Sequence, residues 1–270
     1  MQIPQMIYGT AWKKERTCEL VTQALRAGFL GIDTACQPKH YHEAGVGEAL
    51  EILKKSGISR KSLYIQTKFT PLAGQDPTNV PYDKQAPLAQ QVAQSFLMSK
   101  KNLRTNYVDA LILHSPLFPF ENLLTVWQAM ENIAESGGAY HLGISNCYDL
   151  NLFVKLYESA KIKPSILQNR FYSDTEYDKE LRAFCKQHDI VYQSFWSLTA
   201  NPQLLEHPTL IEFAKKYDKT VAQIFYRFLS LIGITPLNGT TSALHMKQDL
   251  SIFDFSLEPQ EIESIETLLQ

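Results

Sequence analysis

The stretch GFLGIDTACQPKHYHEAGVGEAL, residues 28–50, contains one complete strand, loop and helix unit. It begins with a short apolar run that is typical of a buried strand, and it ends in the apolar spacing of a helix. Asp33 closes the strand, and the loop after it contains His40, Tyr41 and His42. Burying an unpaired charge is costly, so a carboxylate at the end of a buried strand calls for a partner elsewhere in the chain.

The same unit recurs along the whole chain. Eight short runs rich in β-branched and aromatic residues alternate with segments whose apolar residues lie three or four positions apart. The runs cover residues 6–8, 30–32, 63–67, 108–113, 140–144, 165–168, 190–195 and 233–236. Parallel strands need crossover helices, and eight such units in roughly 250 residues are typical of a closed barrel. We therefore predict an α/β fold, a (β/α)8 TIM barrel that forms a single domain over residues 1–270, with an open doubly wound sheet as the alternative.

Glycines mark the predicted helix ends. They lie where helical patterns stop and strands begin, as expected of C-cap residues: Gly28, Gly57, Gly137, Gly138 and Gly233. Two segments are longer than a simple unit needs. Residues 69–87 form a turn-rich excursion after the third strand, and residues 209–219 predict an extra helix. Neither segment marks a domain boundary.

The composition is that of a globular protein, with 44% apolar and 20% charged residues. The four cysteines are scattered, which predicts reduced thiols: Cys18, Cys36, Cys147 and Cys185. We expect a cytoplasmic protein with no membrane partner, because no apolar run reaches about 18 residues and the N-terminus lacks the pattern of a signal peptide. We also expect a monomer. The net charge of −2 and the dispersed basic pairs exclude a nucleic-acid stripe.

Polar residues follow the predicted strands at the barrel face where active sites occur. Asp33, Lys68 and His114 end three successive strands. Each has a structural explanation when taken alone: Asp33 as a cap, Lys68 as a side chain that reaches solvent, and His114 as a core histidine with a backbone partner. Three ionisable groups at successive strand ends are hard to explain by stability alone, because burying a charge without a partner costs free energy. We therefore predict that Asp33 and Lys68 form an ion pair.

The motifs at these strand ends form a recognisable ordered set. They read IDTA at 32–35, TK at 67–68, LHSP at 113–116, GISN at 143–146 and QN at 168–169, with a tyrosine and a Val-Gly between the first two. This set resembles the aldo-keto reductase family, and the resemblance extends from GTAW at 9–12 to DFSL at 254–257. It implies a TIM barrel that reduces carbonyl compounds with NADPH. The catalytic residues would be Asp33, Tyr41, Lys68 and His114.

The chemistry of carbonyl reduction requires these residue types. Hydride addition builds negative charge on oxygen, and a phenol with a pKa of about 10 is a weak acid unless a cation stabilises its anion. Lys68 would supply the cation for Tyr41, Asp33 would hold Lys68, and His114 would orient the substrate oxygen. Tyr41 comes later than in the usual family pattern, eight positions after Asp33. Tyr8 and His40 are therefore weaker alternatives for the acid.

The resemblance also implies binding residues. Phe195 would stack on the nicotinamide, while Ser145, Asn146 and Gln168 would bind its carboxamide. The full set for the cofactor is Gly9, Thr10, Ser145, Asn146, Gln168, Phe195, Ser197, Leu198, Gly239, Thr240, Thr241, His245 and Asp249. A small-molecule carbonyl substrate would meet Trp12, Phe69, Phe118 and Trp196. The link over 115–120 is short, so the pocket is expected to be open or to be covered by the 69–87 excursion.

The cofactor end departs from the family pattern. The family has a lysine for the 2′-phosphate of NADP after strand eight, but this chain has PLNGTTS at 236–242, with glycine or asparagine at that place. His245 replaces an arginine. The turn can still bind phosphate through backbone N–H groups and hydroxyls, or it can be an ordinary helix cap. We expect NADPH from the resemblance, with NADH possible because two cations are missing.

Two other functions stay open. A nucleotide-binding regulatory or partner-binding protein could use the same barrel with poor turnover, since fold alone does not establish activity. A metal-dependent barrel hydrolase could use His40, His42, Asp33 and His114 as ligands. Lys68 argues against the hydrolase, because it would put a cation beside the metal.

Overall fold

Eight parallel strands close into a barrel in the computed structural model, which describes residues 2–269. Each strand pairs with the next along the chain, and the eighth pairs with the first. The strands are β1 Ile7–Gly9, β2 Gly31–Asp33, β3 Tyr64–Phe69, β4 Val108–Leu113, β5 Ala139–Ser145, β6 Ile166–Arg170, β7 Val191–Phe195 and β8 Ile234–Asn238. The predicted (β/α)8 barrel is confirmed, and the open doubly wound sheet is wrong. The predicted bounds of 1–270 extend one residue beyond the described chain at each end.

Helices lie between the strands and surround the barrel. They are α1 Thr17–Ala27, α2 Glu43–Lys55, α3 Leu88–Leu103, α4 Phe120–Glu135, α5 Leu150–Ser159, α6 Lys179–Gln187, α7 Pro202–Leu205, α8 Pro208–Tyr217, α9 Val221–Leu231, α10 Ala243–Leu250 and α11 Pro259–Glu266. The extra helix predicted over 209–219 is α8. Gly28, directly after α1, has a φ of 119°, a conformation that glycine adopts without steric cost.

The apolar residues form two layers that the strands separate. Side chains that point outward pack against the helices in the main core, as Phe29, Ile65 and Leu111 do. Inside the barrel, a small apolar cluster fills the lumen: Ile7, Tyr64, Ala110, Ile112, Ile166 and Leu237. Successive residues of a strand alternate between the two sides, so a polar residue two positions after a lumen residue also faces the lumen.

A polar layer lies next to the apolar lumen cluster. Gln66 of β3 and Gln193 of β7 exchange hydrogen bonds across the barrel, at 2.9 and 3.0 Å. The hydroxyl of Tyr64 donates to Oε1 of Gln66 at 3.1 Å, and Nε2 of Gln168 donates to Oε1 of Gln193 at 2.8 Å. Because buried amides need partners, this network holds strands on opposite sides of the barrel in one register.

The excursion after β3 packs over the loop that follows β2. Phe69 is the last residue of β3, so the excursion proper covers residues 70–87. Nε2 of Gln75 donates to the carbonyl oxygen of Cys36 at 3.0 Å, and Nε2 of Gln37 donates to that of Gly74 at 2.6 Å. These bonds join the loop after β2 to the excursion after β3, at the end of the barrel where the strands finish. We call this end the barrel mouth.

Two further features bear on the expectations from sequence. All four cysteines are unpaired, and Cys36, Cys147 and Cys185 are buried. Over residues 2–269, the helices are too short or too polar for any of them to span a bilayer.

Candidate active site

An ion pair between Asp33 and Lys68 lies at the end of the lumen. Nζ of Lys68 donates to both carboxylate oxygens of Asp33 at 2.6 Å and to the carbonyl oxygen of Thr34 at 3.0 Å. Oδ1 of Asp33 also accepts hydrogen bonds from Gln66 at 2.7 Å and from Gln168 at 3.1 Å. Both charged residues are buried, and burial lowers the pKa of Lys68 while the charge of Asp33 opposes this shift. The predicted pairing is present.

The loop after β2 takes up its extra residues in one turn. The backbone N–H groups of His40 and Tyr41 both donate to the carbonyl oxygen of Gln37, at 3.2 and 3.0 Å. The backbone N–H of Cys36 donates to the carbonyl oxygen of Lys68 at 3.1 Å, and this bond holds the start of the loop against β3. The late position of the tyrosine in the sequence therefore does not remove it from the barrel mouth.

Tyr41 lies between the lysine and the histidine. Nζ of Lys68 is 5.1 Å from the centre of the Tyr41 ring, and the rings of Tyr41 and His114 meet edge to face at 5.9 Å. Burial and, to a smaller extent, the charge of Asp33 raise the pKa of Tyr41. The phenol therefore keeps its proton at neutral pH, as a proton donor must. The structure thus brings together all four residues of the predicted catalytic set.

His114 is neutral at physiological pH. Its pKa is well below the ordinary value because of burial, and the charges of Lys68 and His40 act in the same direction. Nδ1 of His114 lies 2.7 Å from Oγ1 of Thr70. Sequence reasoning missed Thr70, since a threonine just after a strand carries no signal of a role in a site.

Three of the residues expected at the nicotinamide join this network. Nδ2 of Asn146 donates to the carbonyl oxygen of His114 at 2.8 Å and to the hydroxyl of Ser145 at 3.2 Å. The Asn146 backbone is left-handed, with a φ of 55°, and its N–H donates to the carbonyl oxygen of Gln168 at 3.1 Å. Phe195 is half-buried at the end of β7, above the lumen cluster. These residues therefore line one arc of the mouth, from β4 to β7.

The turn between β8 and α10 is joined to the start of the chain. Nζ of Lys13 donates to the carbonyl oxygen of Gly239, and the hydroxyl of Tyr8 donates to that of Thr240 at 2.8 Å. Lys13 is half-buried, and among residues 2–269 no carboxylate lies within ion-pair distance of it. Sequence reasoning missed this cation, because only the fold brings residue 13 to residue 239.

The other residues at this turn are partly engaged with one another. Oγ1 of Thr240 accepts a bond from the backbone of Ser242, while His245 is exposed and 3.5 Å from that same oxygen. Thr241 is exposed. Asp249 is buried and accepts a hydrogen bond from Asn238, and burial raises its pKa to about 6. Asp249 therefore already has one partner within the protein.

The remaining expected cofactor residues lie near the ends of β1 and β7. Gly9 pairs with Asp33 in the barrel, and the Thr10 hydroxyl donates to the Asp33 carbonyl oxygen at 2.9 Å. The hydroxyl of Ser197 is buried and donates to that of Ser194 at 2.8 Å, and Leu198 packs against the main core. For Ser197 and Leu198 the structure shows a role in packing.

The four aromatic residues expected at the substrate divide into two groups. Trp12, Phe118 and Trp196 are exposed, at 57%, 73% and 48% of their surface. Phe69 is buried and packs on Tyr82 of the excursion, at 5.6 Å between ring centres, so the structure places it in the core. Arg170, which sequence reasoning did not single out, lies over the Trp196 ring at 4.3 Å.

The two alternative acids have other partners, and the proposed metal ligands do not form a metal site. Tyr8 is buried with its hydroxyl bound to Thr240, and the His40 ring packs on Trp12 at 3.9 Å between ring centres. Within residues 2–269, no three His, Cys, Asp or Glu side chains converge closely enough to hold a metal ion.

The family is settled by comparison with known proteins. The model of the aldo/keto reductase family matches residues 5–270. The chain belongs to the aldo-keto reductase family. The curated relatives of this aldo-keto reductase include the uncharacterized oxidoreductase YtbE of Bacillus subtilis, 31% identical over 92% of this chain and 82% of that protein. They also include the glyoxal reductase of the same organism, 28% identical over 93% of this chain and 82% of the relative.

Solved structures agree with this assignment. The aldo-keto reductase MGS-M4 from a Medee basin deep-sea metagenome library superposes with a TM-score of 0.85 at 28% identity, over 99% of this chain and 92% of that one. The Bombyx mori aldo-keto reductase AKR2E4, solved in complex with NADP, superposes with a TM-score of 0.83 at 25% identity. The match covers 98% of this chain and 89% of that one. This aldo-keto reductase is therefore an NAD(P)H-dependent oxidoreductase of small-molecule carbonyl compounds.

Proposed function

We propose that this aldo-keto reductase reduces aldehydes or ketones to alcohols, with Tyr41 as the general acid and Lys68, Asp33 and His114 as its supporting groups. One observation carries the proposal. The buried ammonium of Lys68 lies between the Asp33 carboxylate, at 2.6 Å, and the Tyr41 ring, at 5.1 Å. The loop after β2, in which Tyr41 comes later than in the usual family pattern, is compatible with this arrangement.

The protein residues have distinct roles in the proposed reaction. The bound dinucleotide supplies the hydride. Tyr41 gives its proton to the carbonyl oxygen as negative charge develops there, and Lys68 stabilises the phenolate that results. Asp33 keeps Lys68 in place and charged. His114 is neutral, so its single N–H is available to hold the substrate oxygen by a hydrogen bond.

The turn between β8 and α10 suits a dinucleotide, because a dinucleotide carries phosphate groups. Lys13 is a half-buried cation with no carboxylate partner among residues 2–269, and it lies at the turn that precedes α10. A Cβ added to Gly239 would lie in ordinary van der Waals contact with Nζ of Lys13, at 3.7 Å, so the cation lies directly beside this turn. A cation beside the N-terminus of a helix is a combination that favours phosphate. We propose NADPH as the cofactor, with Lys13 as its cation, and NADH as the alternative.

The test is replacement of Tyr41 by phenylalanine. Tyr41→Phe removes the acid, so we expect kcat/KM for aldehyde reduction to fall by roughly 10²- to 10⁴-fold. NADPH should still bind, as measured by quenching of tryptophan fluorescence. Tyr140→Phe, at an exposed position in β5 near its start, is the matched control and should keep full activity. Full activity of Tyr41→Phe would disprove the role of Tyr41.

A second candidate function rests on the late position of Tyr41 in the loop. A regulatory or partner-binding protein would bind the dinucleotide but would turn over carbonyl compounds poorly. The same fluorescence titration, followed by a turnover assay with reactive aldehydes, separates the two functions. Binding without turnover favours the regulatory protein, and no binding of either NADPH or NADH contradicts both.

We also propose a cytoplasmic location and a monomeric state. Four unpaired cysteines, three of them buried, favour a reducing compartment. Light scattering of the purified protein tests the oligomeric state, and fractionation of the source cells tests the location.

A further inference from the structure

Thr70 makes its side-chain hydrogen bond to the histidine of the site. It follows β3 directly, and only 2% of its surface is exposed. Its Oγ1 lies 2.7 Å from Nδ1 of His114, and among residues 2–269 this hydroxyl has no other hydrogen-bond partner. The backbone of His114 is held separately, by bonds to Phe69 and from Asn146. The Thr70 hydroxyl therefore acts on the imidazole ring alone.

This contact decides where the proton of the imidazole lies. A neutral imidazole carries one N–H, on either Nδ1 or Nε2. If Nδ1 carried it, Nδ1 would donate to Thr70, and the hydroxyl hydrogen of Thr70 would stay buried without an acceptor. If Nε2 carries it, the hydroxyl donates to the bare Nδ1, and both groups are satisfied. Complete hydrogen bonding therefore favours the proton on Nε2.

We infer that Thr70 is a positioning residue that holds His114 with its proton on Nε2, and so makes His114 a hydrogen-bond donor to the substrate oxygen. The inference rests on the proposed reductase function. Thr70 does not touch the reacting atoms; it acts through His114, by setting which ring nitrogen can donate. Without that bond, the imidazole would also populate the form whose Nε2 is an acceptor, which would repel a carbonyl oxygen.

The excursion keeps the Thr70 hydroxyl in this position. The carbonyl oxygen of Thr70 accepts hydrogen bonds from the Tyr82 hydroxyl at 2.8 Å and from Nε2 of Gln75 at 3.2 Å. Both residues belong to the 70–87 excursion and are buried. The segment that sequence analysis found longer than a simple unit needs is thus the support of a residue that orients His114.

The test compares Thr70→Val, which keeps the shape and removes the hydroxyl, with Thr70→Ser, which keeps the hydroxyl. In protein labelled with ¹⁵N-histidine, we expect the His114 signals of the native and Thr70→Ser proteins to show Nε2 protonated and Nδ1 bare and hydrogen-bonded. The signals are assigned by their absence in His114→Gln. In Thr70→Val the Nδ1 signal should lose its hydrogen-bond shift and report a mixture of the two forms.

Turnover provides the second measurement. We expect Thr70→Val to lose roughly tenfold in kcat/KM, with Thr70→Ser within about twofold of the native protein. Thr22→Val on α1 is the matched control, because Thr22 is also a buried threonine and belongs to none of the hydrogen bonds of the site. It should change neither measurement. Thr70→Ala serves as a second variant without the hydroxyl, and thermal melting checks that each variant folds.

Two outcomes would overturn the inference. One is a native His114 with its proton on Nδ1, and the other is a Thr70→Val protein whose ring signals and kcat/KM both match the native ones. The NMR measurement needs no turnover. A native protein that reduces no carbonyl compound would therefore refute the proposed function, while the ring signals would still test Thr70.

Discussion

Asp33 has two opposed effects on the residues around it. Its carboxylate holds the Lys68 ammonium with two hydrogen bonds, and two buried amides hold the carboxylate in turn. The same negative charge raises the pKa of Tyr41. In the proposed reaction, Asp33 therefore has two roles: it fixes the cation that would stabilise the phenolate, and it favours the protonated phenol.

The charge of Asp33 predicts the pH dependence of reduction. Asp33→Asn removes a charge that raises the pKa of both Lys68 and Tyr41, so both pKa values should fall and both groups should lose their protons at lower pH. A general acid works only while it is protonated. We therefore expect the alkaline limb of the kcat/KM profile to move to lower pH, along with a loss of activity. The profile is measured from about pH 6 to 11.

A control separates this effect from a change in net charge. Asp174→Asn removes a carboxylate that is exposed. It should leave the alkaline limb where the native protein has it. An Asp33→Asn limb that stays in place or moves to higher pH would contradict the role given to Asp33.

At the scale of elements, the loop after β1 and the turn after β8 form one surface. Lys13 comes from the first and bonds to Gly239 in the second. Burial lowers the pKa of Lys13, and the charge of Arg16 acts in the same direction. A cation that is partly withdrawn from water and has no carboxylate partner among the described residues gains most from an incoming anion. The phosphate groups of a dinucleotide are such anions.

Replacement of Lys13 should change nucleotide binding selectively. Lys13→Met removes one charge-assisted contact, so we expect adenosine 2′,5′-bisphosphate to bind roughly 10- to 100-fold more weakly by calorimetry. ADP, which lacks the 2′-phosphate, should lose less if Lys13 serves that group. Lys14→Met is the control, since Lys14 is adjacent and exposed. Equal, unchanged affinities in Lys13→Met would remove Lys13 from the cofactor site.

The elements themselves could be predicted closely from the sequence, for a physical reason. Buried parallel strands need apolar runs, and helix ends need residues such as Gly28, so both leave a local pattern. The apolar run before Lys68 likewise predicts β3, although the strand extends to Phe69, one residue beyond Lys68. Lys13 and Thr70 could not be predicted, because their partners Gly239 and His114 are distant in the chain and ordinary loop composition surrounds them. The turn that brings Tyr41 to the end of the barrel is closed by backbone hydrogen bonds to Gln37. No sequence motif predicts these bonds.

At the scale of the whole molecule, the glutamine pair in the lumen connects opposite walls of the barrel. Gln66 and Gln193 are 127 positions apart in the chain and exchange two hydrogen bonds. Gln66 also donates to Asp33, and Gln193 accepts from Gln168. The position of the Asp33 carboxylate thus depends on strands from both halves of the barrel.

This dependence predicts a coupling between the two glutamines. Gln66→Leu and Gln193→Leu should each destabilise the protein by about 1–3 kcal/mol, because each leaves buried amide groups without partners. The double variant should cost less than the sum of the two, since it removes both partners of the pair. Urea unfolding of the four proteins measures this. Strict additivity would show that the pair does not act as a unit.

The contacts between the two ends of the chain have a consequence for synthesis. Tyr8 bonds to Thr240, 232 positions later, and Lys13 reaches Gly239 beside it. A chain leaving the ribosome from its N-terminus exposes residues 8 and 13 early, but their partners emerge only near the end of translation. The turn at Gly239 and Thr240 is therefore among the last parts of the chain to be assembled. A truncated product that lacks β8 would contain all four residues of the proposed catalytic set, but it would lack the turn at which we propose that the dinucleotide binds.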